Sequence, residues 1–233
     1  MRKLLLTLAL SLAVAGAQAV PLTDLLAGQS ITAGDKLFDN WTFIYEDKSD
    51  GTSVNTANID VTALNDGGLN PGPGLRFDIL NGEFNVTGDD FYAYLDFQFG
   101  FRVSVLDPRL RIKDNSLGAL GALQVVHDGS NDLGFYIRET VGTAQGLNDL
   151  GDKEVEFSIL DDANTTNLSA SALFARQREI WVTKNILVWA VDSTDTARFT
   201  RFEQRFSQVP EPTSLALVTL ALAGLAATRR RKE

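Results

Sequence analysis

The 233-residue sequence contains no cysteine and a single histidine, His127. The first absence excludes disulfide staples, thiol nucleophiles and thiolate metal sites. The second excludes a multi-histidine metal centre and leaves a serine–histidine–aspartate triad one possible base, with no Gly-x-Ser-x-Gly elbow to accompany it. Long apolar runs are also missing. The two that exist, residues 4–14 and 214–228, fall short of the roughly 20 residues that cross a bilayer comfortably. Positive charge is scarce in the middle of the chain. Arg2, Lys3, Arg229, Arg230, Arg231 and Lys232 hold six of the 21 basic residues, leaving 15 basic against 28 acidic residues over 20–208, a net −13. Such a domain repels phosphate backbones, which argues against nucleic acid as a partner.

What the middle does contain is two-residue alternation. In residues 91–103, Phe91, Ala93, Leu95, Phe97, Phe99, Phe101 and Val103 share one face, and Tyr92, Tyr94, Asp96, Gln98, Gly100 and Arg102 share the other. Side chains alternate across a strand, so this predicts a long strand with one face in a core and one toward water. Weaker versions recur at Trp41, Phe43 and Tyr45, at residues 59–63, and on both sides of Asn81-Gly82, a two-residue hairpin signal. Further strands are expected at 110–113, 119–127, 134–141, 153–160, 168–174, 179–191 and 197–206. About a dozen short strands separated by Gly, Asn, Asp and Pro clusters predict an all-β fold, a two-sheet antiparallel β-sandwich of jelly-roll type spanning 20–208 as one domain.

The ends read as processing segments. Met1-Arg2-Lys3, the apolar run 4–14 and the small residues Ala17 and Ala19 in an A-x-A arrangement predict a signal peptide over 1–19, cleaved after Ala19. At the other end, Val209-Pro210-Glu211-Pro212 has two prolines flanking one residue, which predicts an extended stretch outside any ladder. The uncharged run 214–228 would be about 22 Å long as a helix, somewhat less than a bilayer core of about 30 Å. Arg229, Arg230, Arg231 and Lys232 close it as a basic stop that stays in the cytoplasm. That topology places the β-domain outside the inner membrane, tethered by a single C-terminal membrane helix within the tail 209–233.

Val209-Pro210-Glu211-Pro212, a short apolar helix with Gly224-Leu225 and a terminal arginine cluster together resemble the PEP-CTERM sorting signal. The resemblance implies a substrate of exosortase, a membrane-embedded cysteine protease of Gram-negative bacteria that make extracellular polysaccharide. It implies cleavage near Pro-Glu-Pro and delivery to the cell surface or matrix, with signal peptidase and exosortase as processing partners. Residues 22–43, with Gly28, Ser30, Ile31, Gly34, Asp35, Lys36 and Leu37, and residues 70–77 also look like an uncharacterised group of such proteins, one that brings no activity with it.

Candidate chemistry in the domain is sparse. Asp128, Ser130 and Asp132 place oxygen-bearing side chains at alternate positions, as calcium loops do, but Leu133 stands where a tight-turn glycine would. Glu154 and Glu156 are expected to point to water, opposite Val155, Phe157 and Ile159. Trp41, Trp181 and Trp189 could form a stacking platform for a sugar. The expectation is an exported, non-catalytic surface or matrix protein that needs no cofactor. A sugar- or calcium-binding module is the alternative, and a secreted hydrolase a third reading.

Overall fold

The computed structural model describes residues 18–119, 123–126, 132–160 and 163–211. It opens with β1 (Val20–Pro21), the short helix α1 (Leu22–Leu26), β2 (Ile31–Ala33) and β3 (Lys36–Lys48). A 3-10 turn at Thr56–Asn58 precedes β4 (Ile59–Leu64), β5 (Gly74–Ile79), β6 (Asn85–Thr87), β7 (Ala93–Val105) and β8 (Leu110–Gly118). There follow β9 (Leu123–Val126), β10 (Leu133–Gly142), β11 (Gly151–Leu160) and β12 (Ala163–Asn167). The last four are β13 (Ser169–Gln177), β14 (Glu179–Ala190), β15 (Thr196–Phe199) and β16 (Arg201–Pro210).

These strands form two large antiparallel sheets, ordered β1-β4-β5-β16-β8-β13 and β12-β11-β10-β14-β7-β3-β2, with a small third sheet, β6-β15-β9. The chain passes directly between the large sheets at β3–β4, β7–β8, β12–β13 and β13–β14, so most pairing is non-local, while β2–β3, β4–β5, β10–β11 and β11–β12 pair as sequence neighbours. The sandwich-like, all-β expectation holds. Alternation supplies the core. Leu95, Phe97, Phe99, Phe101 and Val103 of β7 are buried, while Tyr94, Asp96, Gln98 and Arg102 are partly exposed. Phe38, Trp41, Phe77, Phe202 and Phe206 join them, with Phe77 and Phe202 stacked at 4.3 Å and Trp41 and Phe101 at 4.5 Å.

Several local expectations need correction. Phe91 is 85% exposed, because the strand starts at Ala93 after Asp90 takes a φ of 66°. Asn81 and Gly82 do have the positive φ values of a tight turn, and Glu83 N–H closes it onto Leu80 O. No hairpin follows, since β6 pairs with β15 rather than β5. Phe84, buried in the core, carries the chain across. Phe43 and Tyr45 do not continue inward from Trp41, because β3 has register shifts between Asp39 and Thr42 and between Phe43 and Tyr45. The expected strand over 197–206 is two strands, and β16 runs on to Pro210, so Val209 and Pro210, expected outside any ladder and beyond the domain, are its last two residues and pair with β8. Among the described residues no helix is long and apolar enough to cross a membrane; the span 214–228 lies outside them.

The sequence pattern also hides charge in the core. Glu139, Lys153 and Lys184 occupy inward positions of β10, β11 and β14, and Asn115 and Gln204 face them from β8 and β16. Glu139 Oε1 accepts from Lys153 Nζ, Asn115 Nδ2 and Gln204 Nε2, the last at 2.7 Å, while Oε2 accepts from Lys184 Nζ. Lys153 Nζ also donates to Asn115 Oδ1 at 2.6 Å. The ammonium of Lys184 sits over the Phe202 ring at 5.1 Å.

Burial lowers the Lys184 pKa to about 8, from 10.5, against the opposing pull of Glu139. Between those two values the unfolded chain binds more protons at this group than the folded one, so stability rises with pH. Urea unfolding at pH 8 and pH 9.5 is expected to show a gain at the higher pH. Lys184→Met, which removes this titration, is expected to show a smaller gain, since burial also lowers the pKa of Lys153 and Lys36.

Candidate functional site

Among the described residues, the outer face of the seven-stranded sheet concentrates polar and aromatic side chains, and the C-terminal junction carries the start of the tail motif. On the sheet, register sets the rows. Tyr136, Leu187, Asp96 and Asp47 are neighbours across β10, β14, β7 and β3, and Arg138, Asn185, Gln98 and Tyr45 form the next row. In the row on the other side, Trp189 stands between Gly134 and Tyr94. Its indole covers Gly134, where a Cβ would come within 2.8 Å of the ring and 2.4 Å of Phe157 O, so only glycine admits it.

Aspartates anchor the rows. Asp47 Oδ2 accepts from the Tyr94 hydroxyl at 2.6 Å and from Tyr45 at 3.4 Å. Asp96 Oδ1 accepts from Asn185 Nδ2 at 2.5 Å. Burial raises the Asp96 pKa and the neighbouring Asp47 charge adds to it, while bonds from Asn185 and Gln98 oppose the rise. The hydrogen bond to Asp47, followed by burial, raises the Tyr94 pKa. Tyr92 and Tyr94 lie 5.5 Å apart ring to ring, and Tyr136 and Trp189 6.3 Å. The result is a row of aromatic edges interleaved with acceptors and amides. Side chains on one face of neighbouring strands project in the same direction, so Asp47 and Asp96 do not face each other across a cleft as a glycosidase pair must.

The three tryptophans do not come together. Trp41 and Trp181 line one open cleft of about 630 Å³ with Asp39, Asn40, Thr42 and Gln145, but Trp189 is elsewhere, beside Tyr136. Trp41 is buried and stacked on Phe101. Trp181 carries Arg102 at 6.0 Å, itself paired with Asp39 at 2.8 Å and Glu179 at 3.2 Å. Of the calcium candidates, Asp128 and Ser130 lie outside the described residues, as does His127. Asp132 lies within them, and its carbonyl accepts from Val191 N–H at 3.0 Å. Among the described residues no group of three or more acidic or histidine side chains is placed to hold a metal. Glu154 is exposed and Glu156 partly so, accepting from Ser158 Oγ at 2.6 Å. Sequence reasoning missed Asp47, Asp96 and Asn185, which lie far apart along the chain. The signal available was the polar face of residues 91–103, which marks a surface without saying what joins it.

At the C-terminal junction, Val209 pairs with Arg111 and Pro210 with Leu110. A proline fits here for a specific reason. Gln208 N–H points away from β8, to Leu69 O at 2.9 Å, and Glu211 N–H points back to Arg109 O at 2.7 Å. The nitrogen of Pro210 therefore faces the side where β16 has no partner strand, since pairing with β5 ends at Arg205. No ladder bond is lost. Glu211 is also held by an ion pair with Arg111, whose guanidinium further donates to Pro108 O at 2.9 Å and Leu110 O at 2.7 Å. Three of the four motif residues thus rest on the sheet, and Pro212, the run 214–228 and Arg229, Arg230, Arg231 and Lys232 lie outside the described residues. At the other end, Ala19 is described and Ala17 is not.

The comparisons agree with the C-terminal reading. Residues 208–232 match the family model described as the PEP-CTERM protein-sorting motif, so the chain carries this motif at its C-terminus. No curated protein matches the sequence significantly. Among solved structures, the chain is similar to the enzymatically active domain of tailspike protein 4 of bacteriophage CBA120, at 13% identity and TM-score 0.27. That alignment covers 73% of this chain and spans only 19% of the tailspike. TmCBM61, solved in complex with beta-1,4-galactotriose, aligns at 14% identity and TM-score 0.24, over 74% of this chain and 89% of that one. A thermo-stable cellulase derived from Cel12A of Rhodothermus marinus aligns at 10% identity and TM-score 0.24, over 73% and 99%. Scores at this level carry no argument about ligand or activity.

Arg111 is partly buried but Glu211 is 41% exposed, so their ion pair contributes about 0–1 kcal/mol to stability. Its local effect is larger than its global one. Arg111→Ala is expected to leave the urea midpoint nearly unchanged and to speed cleavage after Pro210 by a proline-specific endoprotease. Limited proteolysis read by mass spectrometry checks both parts.

Proposed function

We propose that this chain is an exported, non-catalytic protein of the cell surface or extracellular matrix, sorted and cleaved by an exosortase-type system and associated with extracellular polysaccharide. The observation that carries the reading is the sorting motif at 208–232. In this reading residues 1–19 are removed by signal peptidase after Ala19, and the domain reaches the outer side of the inner membrane. The span 214–228 holds it there while Arg229, Arg230, Arg231 and Lys232 stop translocation. The processing site lies at the C-terminal edge of the sheet, where the ladder ends and the chain first becomes available to a protease. Protein recovered from the surface or matrix of its native host is expected to end within a few residues of Pro210. A C-terminal peptide still ending in Arg231-Lys232-Glu233 would overturn the sorting reading and make the tail a permanent anchor.

The outer sheet face favours a second reading, a carbohydrate-binding surface. Aromatic edges offer apolar area to the faces of sugar rings, and carboxylates and amides accept and donate to hydroxyls. Asp47, held by two tyrosine hydroxyls, and Asp96, held by Asn185, orient that face without needing a metal. Retention of the purified protein on a column of its host's polysaccharide is the test. Tyr94→Ala, which removes one ring and leaves Asp47 only the longer bond from Tyr45, is expected to weaken retention by up to about tenfold. Equal retention of the variant would remove this face from consideration.

A further inference from the structure

The buried cluster between the sheets has the composition of a reaction centre as well as of an ion network. Lys153 brings an amine, Asn115 a carboxamide, and Glu139 a carboxylate that touches both. One oxygen, Glu139 Oε1, accepts from Lys153 Nζ and from Asn115 Nδ2, while Lys153 Nζ lies 2.6 Å from Asn115 Oδ1. The amide carbon of Asn115 is a single C=O bond, about 1.2 Å, beyond that oxygen. A nucleophile, an electrophile and a proton carrier are therefore held in mutual contact by three strands, with side-chain exposures of 2% for Lys153 and 0% for Glu139. We propose that Lys153 and Asn115 condense within the folded domain to form an intramolecular amide bond, with Glu139 as the proton-transferring catalytic residue.

The atoms balance without any co-reactant. Glu139 Oε1 takes a proton from the Lys153 ammonium, and the freed lone pair forms a bond to Cγ of Asn115, sending the C=O electron pair onto Oδ1. Protonated Glu139 then gives its proton to Nδ2 and takes one from the attacking nitrogen. The Cγ–Nδ2 bond breaks, the carbonyl re-forms, and ammonia departs with the remaining proton as ammonium. Glu139 is left as it began. Burial lowers the Lys153 pKa and so favours the neutral amine that the first step requires, although Glu139 and Asp114 oppose this shift.

Charge supplies a further reason for the reaction to go forward. Before it, one carboxylate serves two buried ammoniums, and the nearby Asp114 is committed to Lys113 at 3.1 Å. After it, Lys153 is a neutral amide and Glu139 and Lys184 remain as a balanced pair. A desolvated surplus charge is removed from the core. The product would tie β11 of one sheet to β8 of the other across a separation of 38 residues. Gln204, donating to Glu139 at 2.7 Å, and Lys184 act as positioning residues that keep the carboxylate in place.

Mass spectrometry of the purified, denatured protein tests this directly. The wild type is expected to be lighter than its sequence by one ammonia. Its tryptic digest is expected to contain residues 114–138 joined to residues 139–176, with cleavage after Lys153 blocked. Lys153→Arg keeps the cation beside Glu139 but removes the competent nucleophile, and is expected at its full sequence mass with melting lowered by about 10 °C. Glu139→Gln is expected at full mass with cleavage after Lys153 restored. A wild type at full sequence mass with a free 114–138 peptide would overturn the bond, and a joined peptide in Glu139→Gln would overturn the role of the carboxylate.

Discussion

Glu139 is the point on which the two large sheets are fitted together. It reaches out of β10 at a position where alternation demands a core residue, and it is fully buried. A lone carboxylate there would be intolerable, so its surroundings are constrained in detail. Two ammoniums come from its own sheet, and two amides from the facing one. This fixes the registers of β10, β11 and β14 relative to one another and sets them against β8 and β16. A one-residue slip in any of these strands would turn its member of the cluster out to solvent and bring a polar neighbour in. Apolar packing around Phe77, Phe99 and Phe202 supplies most of the burial, but hydrophobic contact is non-directional and tolerates shifts that the cluster does not.

The same sheet presents opposite chemistry on its two sides. Inward it shows phenylalanines and the charged cluster, and outward it shows tyrosines, Asp47, Asp96 and Asn185. The strands that make the outer rows are therefore the strands the cluster positions. Lys184 and Asn185 are adjacent on β14, one facing Glu139 and the other Asp96. Glu139 and Arg138 stand in the same relation on β10. Whatever rests on the outer face is held in place by a core whose register is fixed by charge.

The C-terminus follows from sheet geometry as well. Because β16 lies between β5 and β8 but outlasts its pairing with β5, its last residues have β8 on one side and no partner strand on the other. Pro210 falls with its missing donor on the open side, and Arg111 reaches over to Glu211. The sorting motif is thus joined to the domain without an intervening linker among the described residues. The folded body delimits how far up the chain a protease can reach.

By itself the sequence determined the class of fold and the identity of the tail, and for the same reason: both are written in local patterns. Period-two alternation in residues 91–103 is a property of consecutive residues, and so is the order of proline pair, apolar run and basic cluster. It also carried the consequences of having no cysteine. Tertiary structure alone decided the rest. The turn at Asn81-Gly82 is legible, but the strand after it pairs in a different sheet, with Phe84 buried in the core between the two. Lys153 and Glu139 look like surface charges beside their polar neighbours. They are core residues because partners 14 to 65 positions away along the chain meet them there. Pairings at that separation leave no signature in any local window. They depend on which strands cross between sheets, and that is settled by the packing of the whole domain.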